Sequence, residues 1–373
     1  MPTVELAACQ VYVNAADYAS EGTFAALLER VGRRLDAARA RRADGTFAHA
    51  CLAVFPELIG AFLPLCGRLD VVRGATTTDG AFARVAVRTL PSLLRAMARA
   101  RTWSPRAGLL LAAAPEVERV YAGAFARFAA AHDCWVVAGS ALLPRATGGG
   151  GDAAGAGDAR VYNTSYAFAP DGRRVGVTRK VNLVPTLEDA AGLGLAAGSV
   201  GELAPLETPF ARVGTLVCYD GFRVAHTRRE PAFKAVAPRL DALGCTVLAQ
   251  PAANPWAWEG RWFFAEAGET QRRREQWMNE GLLGQLRRGR WRNVRFGVTA
   301  HLVGQVLDRH FEGQSQIFER AEAPAGEPAA VRVLAEAARA DATPEAEEVV
   351  LRAVELAASR HENAAPSLAH ATA

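Results

Sequence analysis

The amino-acid sequence predicts a mixed α/β protein, and two observations lead to that prediction. Short apolar segments typical of buried strands alternate along the chain with longer segments in which apolar residues recur at helical spacing. Half of the 373 residues are hydrophobic, which is enough for a large core in one or two α/β domains. No convincing internal repeat is present in the sequence.

The N-terminal part of the chain alternates predicted strands with predicted amphipathic helices. In the first helix Phe24, Leu28 and Leu35 share one face, while arginines occupy the other. The second strand is stopped by Pro56, which Glu57 follows directly. The predicted strands cover residues 4–11, 51–55 and 135–140, and the predicted helices cover residues 24–41 and 117–132.

A segment of almost pure Gly, Ala and Asp lies in the middle of the chain. Residues 148–159 are therefore expected to form a flexible surface loop. This loop joins residues 136–143 to residues 162–169, which resemble two neighbouring strands of an enlarged hairpin. Asp171-Gly172 is typical of a tight turn and leads into a further predicted strand over residues 174–179.

The C-terminal half continues the alternation and ends in a predicted helix over residues 344–358. That helix is predicted because Pro344 lies in its first turn and acidic residues lie near its positive end. The polar, Ala-rich tail from about Glu362 is expected to be mobile. The other elements predicted here are a helix over residues 231–243 and strands over residues 210–218, 246–250, 295–307, 315–318 and 331–334.

Two segments, residues 64–114 and 256–292, do not fit the alternation and are predicted to be insertions. The sequence thus suggests one domain over residues 1–320 and a partly helical C-terminal extension over residues 321–373. Residues 64–114 and 271–295 each hold eight Arg against two acidic residues. We favour a solvated basic face whose tryptophans cover the core or a dimer contact. The alternative is a lid or docking surface for an anionic or membrane-proximal substrate.

Composition excludes several classes of function and location. The 43 basic residues nearly balance the 39 acidic ones, so nucleic acid is not expected as a partner. The six cysteines are scattered without a Cys-x-x-Cys pair, which favours reduced thiols in a cytoplasmic protein. No signal peptide or membrane span is evident. The histidines lack metal-ligand spacing with cysteines or acids, so a zinc site is not expected.

Three short motifs carry the residues needed to attack a carbon–nitrogen bond. They are Phe55-Pro56-Glu57, Thr178-Arg179-Lys180 and the segment from Gly214 through Cys218-Tyr219-Asp220. A thiolate is a strong nucleophile, a desolvated carboxylate can accept and return its proton, and a fixed cation stabilises developing negative charge. Each motif alone is better explained by an ordinary exposed acid, a solvated lysine or a buried structural thiol.

The joint order of these motifs resembles the nitrilase superfamily, the carbon-nitrogen hydrolases. The run Asn163-Thr164, the turn Asp171-Gly172 and the segment Gly313-Gln-Ser315-Gln-Ile317 add to the resemblance, which covers roughly residues 4–320. It implies an α-β-β-α sandwich, here with two insertions, that forms a homodimer or higher homo-oligomer. It also implies that no cofactor takes part.

The resemblance implies a role for each motif residue. Cys218 would be the nucleophile, Glu57 the general base and later acid, and Lys180 with the backbone N–H of Tyr219 the stabiliser of the tetrahedral intermediate. Glu188, eight residues after Lys180, would orient that lysine and the substrate. Tyr219 and Asn254 are the predicted substrate-binding residues. A reactive Cys218 is further expected to have a lowered thiol pKa.

The predicted activity is cleavage of a small non-peptide substrate, an amide or carbamoyl compound in preference to a nitrile. Two alternatives remain: an acyltransferase that uses the same acyl-enzyme, and a non-catalytic nitrilase-like binding protein. The chain departs from the family after the thiol, where Gly221-Phe222 stands in place of the usual aromatic-Pro-Glu sequence. Substrate specificity is therefore the property that the resemblance carries over least.

Overall fold

The computed structural model describes residues 2–145, 160–228, 230, 232–266, 268–321 and 330–356. These residues form a mixed α/β structure in which many of the strands are largely buried. The strands are β1 (Thr3–Asn14), β2 (Ala50–Val54), β3 (Trp135–Val137), β4 (Ala141–Pro144), β5 (Val161–Phe168), β6 (Arg174–Arg179), β7 (Leu206–Glu207), β8 (Arg212–Thr215), β9 (Val247–Ala253), β10 (Phe296–Val306), β11 (Arg309–Phe311), β12 (Gln316–Arg320), β13 (Val331–Glu336) and β14 (Glu348–Glu355).

The α-helices flank these strands on both sides of the molecule. They are α1 (Glu21–Ala38), α2 (Thr78–Arg88), α3 (Leu90–Ala100), α4 (Pro105–Ala131), α5 (Val236–Ala242), α6 (Arg273–Glu280) and α7 (Leu282–Arg288). None of the described helices has the length and apolar character needed to cross a membrane.

The long strand β1 belongs to two sheets. Its first part pairs in parallel with β2 and antiparallel with β14, and its last residues, Val11–Asn14, pair in parallel with Leu302–Gln305 of β10. The first sheet continues from β2 through β3 to β5, which is flanked by β4 and β6. The second continues from β10 through β9 and β8 to β7 on one side, and through β12 to β13 on the other.

Three apolar clusters define the layers of the fold. The inner cluster joins residues of both sheets, among them Leu6 and Val54 on the first and Val247 and Ile317 on the second. A second cluster packs α1 and α4 on the outer face of the first sheet, and a third packs α5 and α7 on the second. This order of layers, helices, sheet, sheet and helices, confirms the predicted α-β-β-α class.

The first predicted insertion is mostly helical and continuous with the core. It contains α2 and α3, and helix α4 begins at Pro105 rather than at the predicted residue 117. Buried Leu109 and Leu110 extend the apolar face of α4 toward its N-terminus, which explains the earlier start. The second predicted insertion holds a loop followed by α6 and α7.

The predicted helix over residues 344–358 is wrong. A short 3-10 turn at Pro344–Ala346 is followed by strand β14, which pairs with β1 from Thr3 to Gln10. Without β14 this buried edge of β1 would leave its backbone groups unpaired, and tertiary pairing therefore overrides local helix propensity. The predicted loop at 148–159 and the predicted mobile end after residue 362 lie outside the described residues.

Candidate active site

Three loops that follow strands bring together the chemically important side chains. Glu57 follows β2, Lys180 follows β6 and Cys218 follows β8, and all three side chains are buried. The Glu57 loop packs closely on Gly139, whose φ of +71° is left-handed. A Cβ at Gly139 would lie 2.1 Å from the carbonyl oxygen of Pro56, so this contact requires glycine.

Lys180 lies between two carboxylates. Its Nζ is 2.7 Å from Oε1 of Glu57 and 2.5 Å from Oε2 of Glu188. Asn163 on β5 bridges the same two acids, because its Nδ2 donates to Oε1 of Glu57 at 2.8 Å and to Oε1 of Glu188 at 2.9 Å. The backbone N–H of Val184 donates to Glu188 as well. Lys180, the two carboxylates and Asn163 thus form one buried, hydrogen-bonded network.

Cys218 begins a tight turn directly after the strand. Its φ of +49° is left-handed, which is a strained conformation for a residue with a side chain. Gln250 stabilises this turn, because its Nε2 donates to the carbonyl of Cys218 at 2.8 Å and its Oε1 accepts from Thr299. The Sγ atom donates to the carbonyl oxygen of Ala253 at 3.4 Å and lines the same cavity as Glu57.

Asp220 ties the turn of Cys218 to the loop of Lys180. Its carboxylate accepts hydrogen bonds from the backbone N–H groups of Val181 and Asn182, and from the side chain of Asn182. Burial raises the pKa of Asp220 to about 7, against the opposing effect of these donors. The Asp in the Cys-Tyr-Asp motif therefore positions two loops relative to each other.

The protonation states follow from burial and from neighbouring charges. Burial raises the pKa of Glu57, although Lys180 opposes this effect. Burial and the negative charge of Glu57 raise the pKa of Cys218 well above its ordinary value. Burial alone would lower the pKa of Lys180, but the charges of Glu188 and Glu57 raise it well above the usual value. The expected lowered pKa of Cys218 is thus wrong: its resting thiol carries a proton at neutral pH.

The four reactive groups line a cavity of about 240 Å³. Glu57, Lys180, Glu188 and Cys218 supply its polar side, while Leu58, Phe62 and other apolar side chains supply most of its wall. Both predicted insertions contribute to the lining, through Phe82 from the first and Trp256 from the second. A cavity of this size and character suits a small organic molecule.

The two predicted substrate-binding residues do not line this cavity with their side chains. Tyr219 donates its hydroxyl to Glu230 and stacks on His226 at 3.8 Å between ring centroids. Asn254 donates to the carbonyls of Trp256 and Glu312, and its Oδ1 accepts from Nε of Arg273 at 2.7 Å. The polar atoms of Asn254 are thus engaged within the protein, and its role in substrate binding stays a prediction. The expected role of the Tyr219 backbone N–H stays a prediction.

Sequence reasoning assigned no site role to Asn163, His226 or Arg273, yet Asn163 joins the buried network and the other two line the cavity. The sequence feature that could have pointed to Asn163 is a polar Asn inside a predicted strand, because a buried polar side chain needs hydrogen-bond partners. No local signal separated Arg273 from the other arginines of its segment. Among the described residues, no cluster of His, Cys, Asp and Glu could hold a metal ion.

Comparison with known proteins identifies the family of the chain. A family model described as "Carbon-nitrogen hydrolase" matches residues 6–228. The fold is similar to that of a carbon-nitrogen hydrolase from Helicobacter pylori G27, with a TM-score of 0.55 and 15% sequence identity over 95% of this chain and 89% of that chain. No curated protein sequence matches the chain.

Two further solved structures are similar at lower scores. Nit3 from Saccharomyces cerevisiae, a member of branch 10 of the nitrilase superfamily, has a TM-score of 0.48 and 16% identity over 95% of this chain and 90% of that chain. A variant of the amidase from Nesterenkonia sp. AN1 has a TM-score of 0.48 and 15% identity over 96% of this chain and 94% of that chain.

Proposed function

The chain belongs to the carbon-nitrogen hydrolase family, and from this premise we propose that it cleaves a small amide or carbamoyl compound through a covalent intermediate on Cys218. One observation carries the proposal. Cys218 and Glu57 line one buried cavity, and Nζ of Lys180, which lines it too, lies 2.7 Å from the Glu57 carboxylate. A nucleophile, a base and a cation therefore meet where a small substrate can enter.

In the first half of the reaction, Glu57 accepts the thiol proton as the sulfur attacks the carbonyl carbon. The new C–S bond converts the carbonyl into a tetrahedral oxyanion, which Lys180 and the backbone N–H of Tyr219 stabilise. Glu57 then returns the proton to the departing nitrogen as the C–N bond breaks. The amine or ammonia leaves, and an acyl group stays on Cys218. The raised pKa of Glu57 suits a group that must both accept and donate a proton near neutral pH.

In the second half, water replaces the lost nitrogen. Glu57 accepts a proton from the water, whose oxygen attacks the acyl carbon, and the C–S bond breaks as the acid product forms. The thiolate recovers the proton from Glu57, which restores the resting state. Glu188 serves to hold Lys180 in place throughout, because it pairs with that lysine. Asn163 serves to hold the two acids, because its side chain donates to both Glu57 and Glu188.

Ammonia release from short amides, N-carbamoyl amino acids and nitriles tests the proposal. Cys218→Ala is expected to lose activity by at least about a thousand-fold while the protein stays folded. Cys245→Ala is the matched control, because this thiol is equally buried but lies in the cluster beside α5, away from the cavity. Mass spectrometry is expected to detect an acyl adduct on Cys218.

Turnover retained by Cys218→Ala would contradict the covalent mechanism. Consumption of an added amine in place of water would instead indicate the acyltransferase alternative, and binding without turnover would indicate the non-catalytic alternative. A homodimer and a cytoplasmic location also stay proposals. The first rests on the family resemblance, and the second is supported by the six cysteines, none of which forms a disulfide.

A further inference from the structure

Arg273, the first residue of α6, is a buried cation that forms no ion pair with any described carboxylate. Its side chain differs in this respect from the other buried cations among the residues that the structure describes. Arg39 pairs with Glu5 at 3.0 Å, and Lys180 pairs with Glu57 and Glu188. A buried charge without a counter-ion is costly, so its presence on the wall of the cavity calls for a functional explanation.

The contacts of Arg273 leave one of its nitrogen atoms unused. Nε donates to Asn254 and Nη1 donates to Gln276, whereas Nη2 makes no hydrogen bond within the described structure. The guanidinium also lies 3.9 Å from the ring centroid of Trp262 and 4.8 Å from that of Trp256. The two indole rings contact the cation through their π faces, but they carry no negative charge that would neutralise it. Burial lowers the pKa of Arg273 to about 9, so the group remains charged at neutral pH.

The neighbouring His226 supplies a second donor to the cavity, and its tautomer follows from the same contacts. Because Gln276 accepts from Arg273 through Oε1, its Nε2 must be the atom that faces Nδ1 of His226 at 3.2 Å. Nδ1 therefore accepts, and the neutral imidazole carries its proton on Nε2. Burial and the charges of Arg273 and Lys180 lower the pKa of His226 well below its usual value, which keeps the ring neutral.

We propose that Arg273 and His226 form a subsite for a carboxylate of the substrate. This inference rests on the proposed function and names the substrate class: a small amide or carbamoyl compound that bears a carboxylate away from the bond cleaved at Cys218. The single uncompensated charge of Arg273 matches one negative charge on the ligand. The otherwise largely apolar wall suits a short hydrocarbon linker between the two polar ends.

The first experiment compares matched substrates. The monoamides malonamate, succinamate and glutaramate are assayed against the neutral diamides malonamide, succinamide and glutaramide. The wild-type protein is expected to prefer at least one acid over its diamide by about 10- to 100-fold in kcat/KM. In Arg273→Gln this preference should vanish through a higher KM for the acid, with the diamide little changed. Arg274→Gln, at the next and exposed position, is the matched control.

A merely structural role for Arg273, as a support for the tryptophans around it, would change acids and diamides equally. Equal use of acids and diamides by the wild-type protein, or a preference that survives in Arg273→Gln, would overturn the subsite. The absence of a preference in the wild-type protein would be enough to overturn the subsite, so this part of the test does not depend on the variant being folded. Ammonia release from the diamides would still support the proposed function in either case.

The second experiment needs no turnover and so separates the two proposals. Binding of the three acids to Cys218→Ala is measured by calorimetry and compared with binding to the double variant Cys218→Ala/Arg273→Gln. A loss of affinity of about 10-fold or more for the acid, with no loss for the diamide, would support the subsite even if no substrate were hydrolysed. Failure of all three acids to bind Cys218→Ala would overturn it.

Discussion

At the scale of single residues, the chemistry depends on how Cys218 and Glu57 share a proton. Burial raises the pKa of both groups, and the charge of Glu57 raises that of the thiol further, while Lys180 lowers both. The nucleophile is therefore not a preformed thiolate but a thiol, which donates to the carbonyl of Ala253 at rest and shares its cavity with the Glu57 carboxylate. Such an arrangement generates the thiolate only when the carboxylate takes the proton.

Replacement of Glu57 by Gln should separate two roles of this residue, its negative charge beside the thiol and its action as a base. Loss of the negative charge leaves the positive charge of Lys180 beside the thiol, so the pKa of Cys218 should fall and its alkylation by iodoacetamide should begin at lower pH. Turnover should nevertheless fall by at least about a hundred-fold, because no base remains. The rate of Cys218 alkylation as a function of pH, followed by peptide mass spectrometry, measures the shift.

Glu259→Gln is the control for this experiment, since Glu259 is exposed and does not line the cavity. In the wild-type protein, alkylation of Cys218 should rise with pH to a midpoint above that of an ordinary thiol. An unchanged or higher midpoint in Glu57→Gln would contradict the assignment of Glu57 as the charge that raises the pKa of the thiol.

At the scale of elements, β14 shows how tertiary pairing decides a conformation that local sequence leaves ambiguous. Residues 344–358 contain many helix formers, but Val349, Val350 and Val354 also suit a strand. Val350 and Val354 pack between the two sheets, while Val349 packs against the cluster that includes α1. Both faces of the segment are therefore used, as expected for a strand within a layered fold.

Substitution of Val350 by Asp should lower the free energy of unfolding by about 3 kcal/mol or more, because it buries an unpaired carboxylate between the sheets. Arg352→Ala is the control, since Arg352 is exposed on the same strand and its change should stay within about 0.5 kcal/mol. Urea denaturation measures both values. Equal stabilities for the two variants would contradict the position of β14 between the layers.

At the scale of the whole molecule, the C-terminal residues complete both sheets. Strand β13 extends the second sheet and β14 extends the first. Buried Gln10 on β1 donates to the carbonyls of Arg339 and Ala346, and Glu347 pairs with Arg30 of α1 at 2.9 Å. The division at residue 320 that the sequence suggests remains a proposal about organisation, and these contacts argue for mutual dependence of the two parts.

A chain that ends at Ala321 should therefore fail to unfold cooperatively, because it lacks the partner strand of β1 along eight residue pairs, from Thr3–Glu355 to Gln10–Glu348. The full chain should show one transition that is the same by far-ultraviolet and near-ultraviolet circular dichroism. Thermal unfolding followed at both wavelengths makes the comparison. A sharp transition in the shortened chain, within a few degrees of the full chain, would favour an independent domain over residues 1–320.

The sequence by itself determined the chemical groups and the fold class. Glu57, Lys180 and Cys218 each follow a strand in a recognisable motif. The periodicities of strands and helices are local properties, so they can be read from the sequence alone. Only the tertiary structure decided which side chains meet. Asn163 bridges two acids, Asn254 bonds within the protein, and Arg273 lacks an ion pair with a described carboxylate. These findings depend on contacts between residues far apart in the chain. Burial, which sets the pKa of Cys218 and the state of His226, is likewise a property of the folded molecule alone.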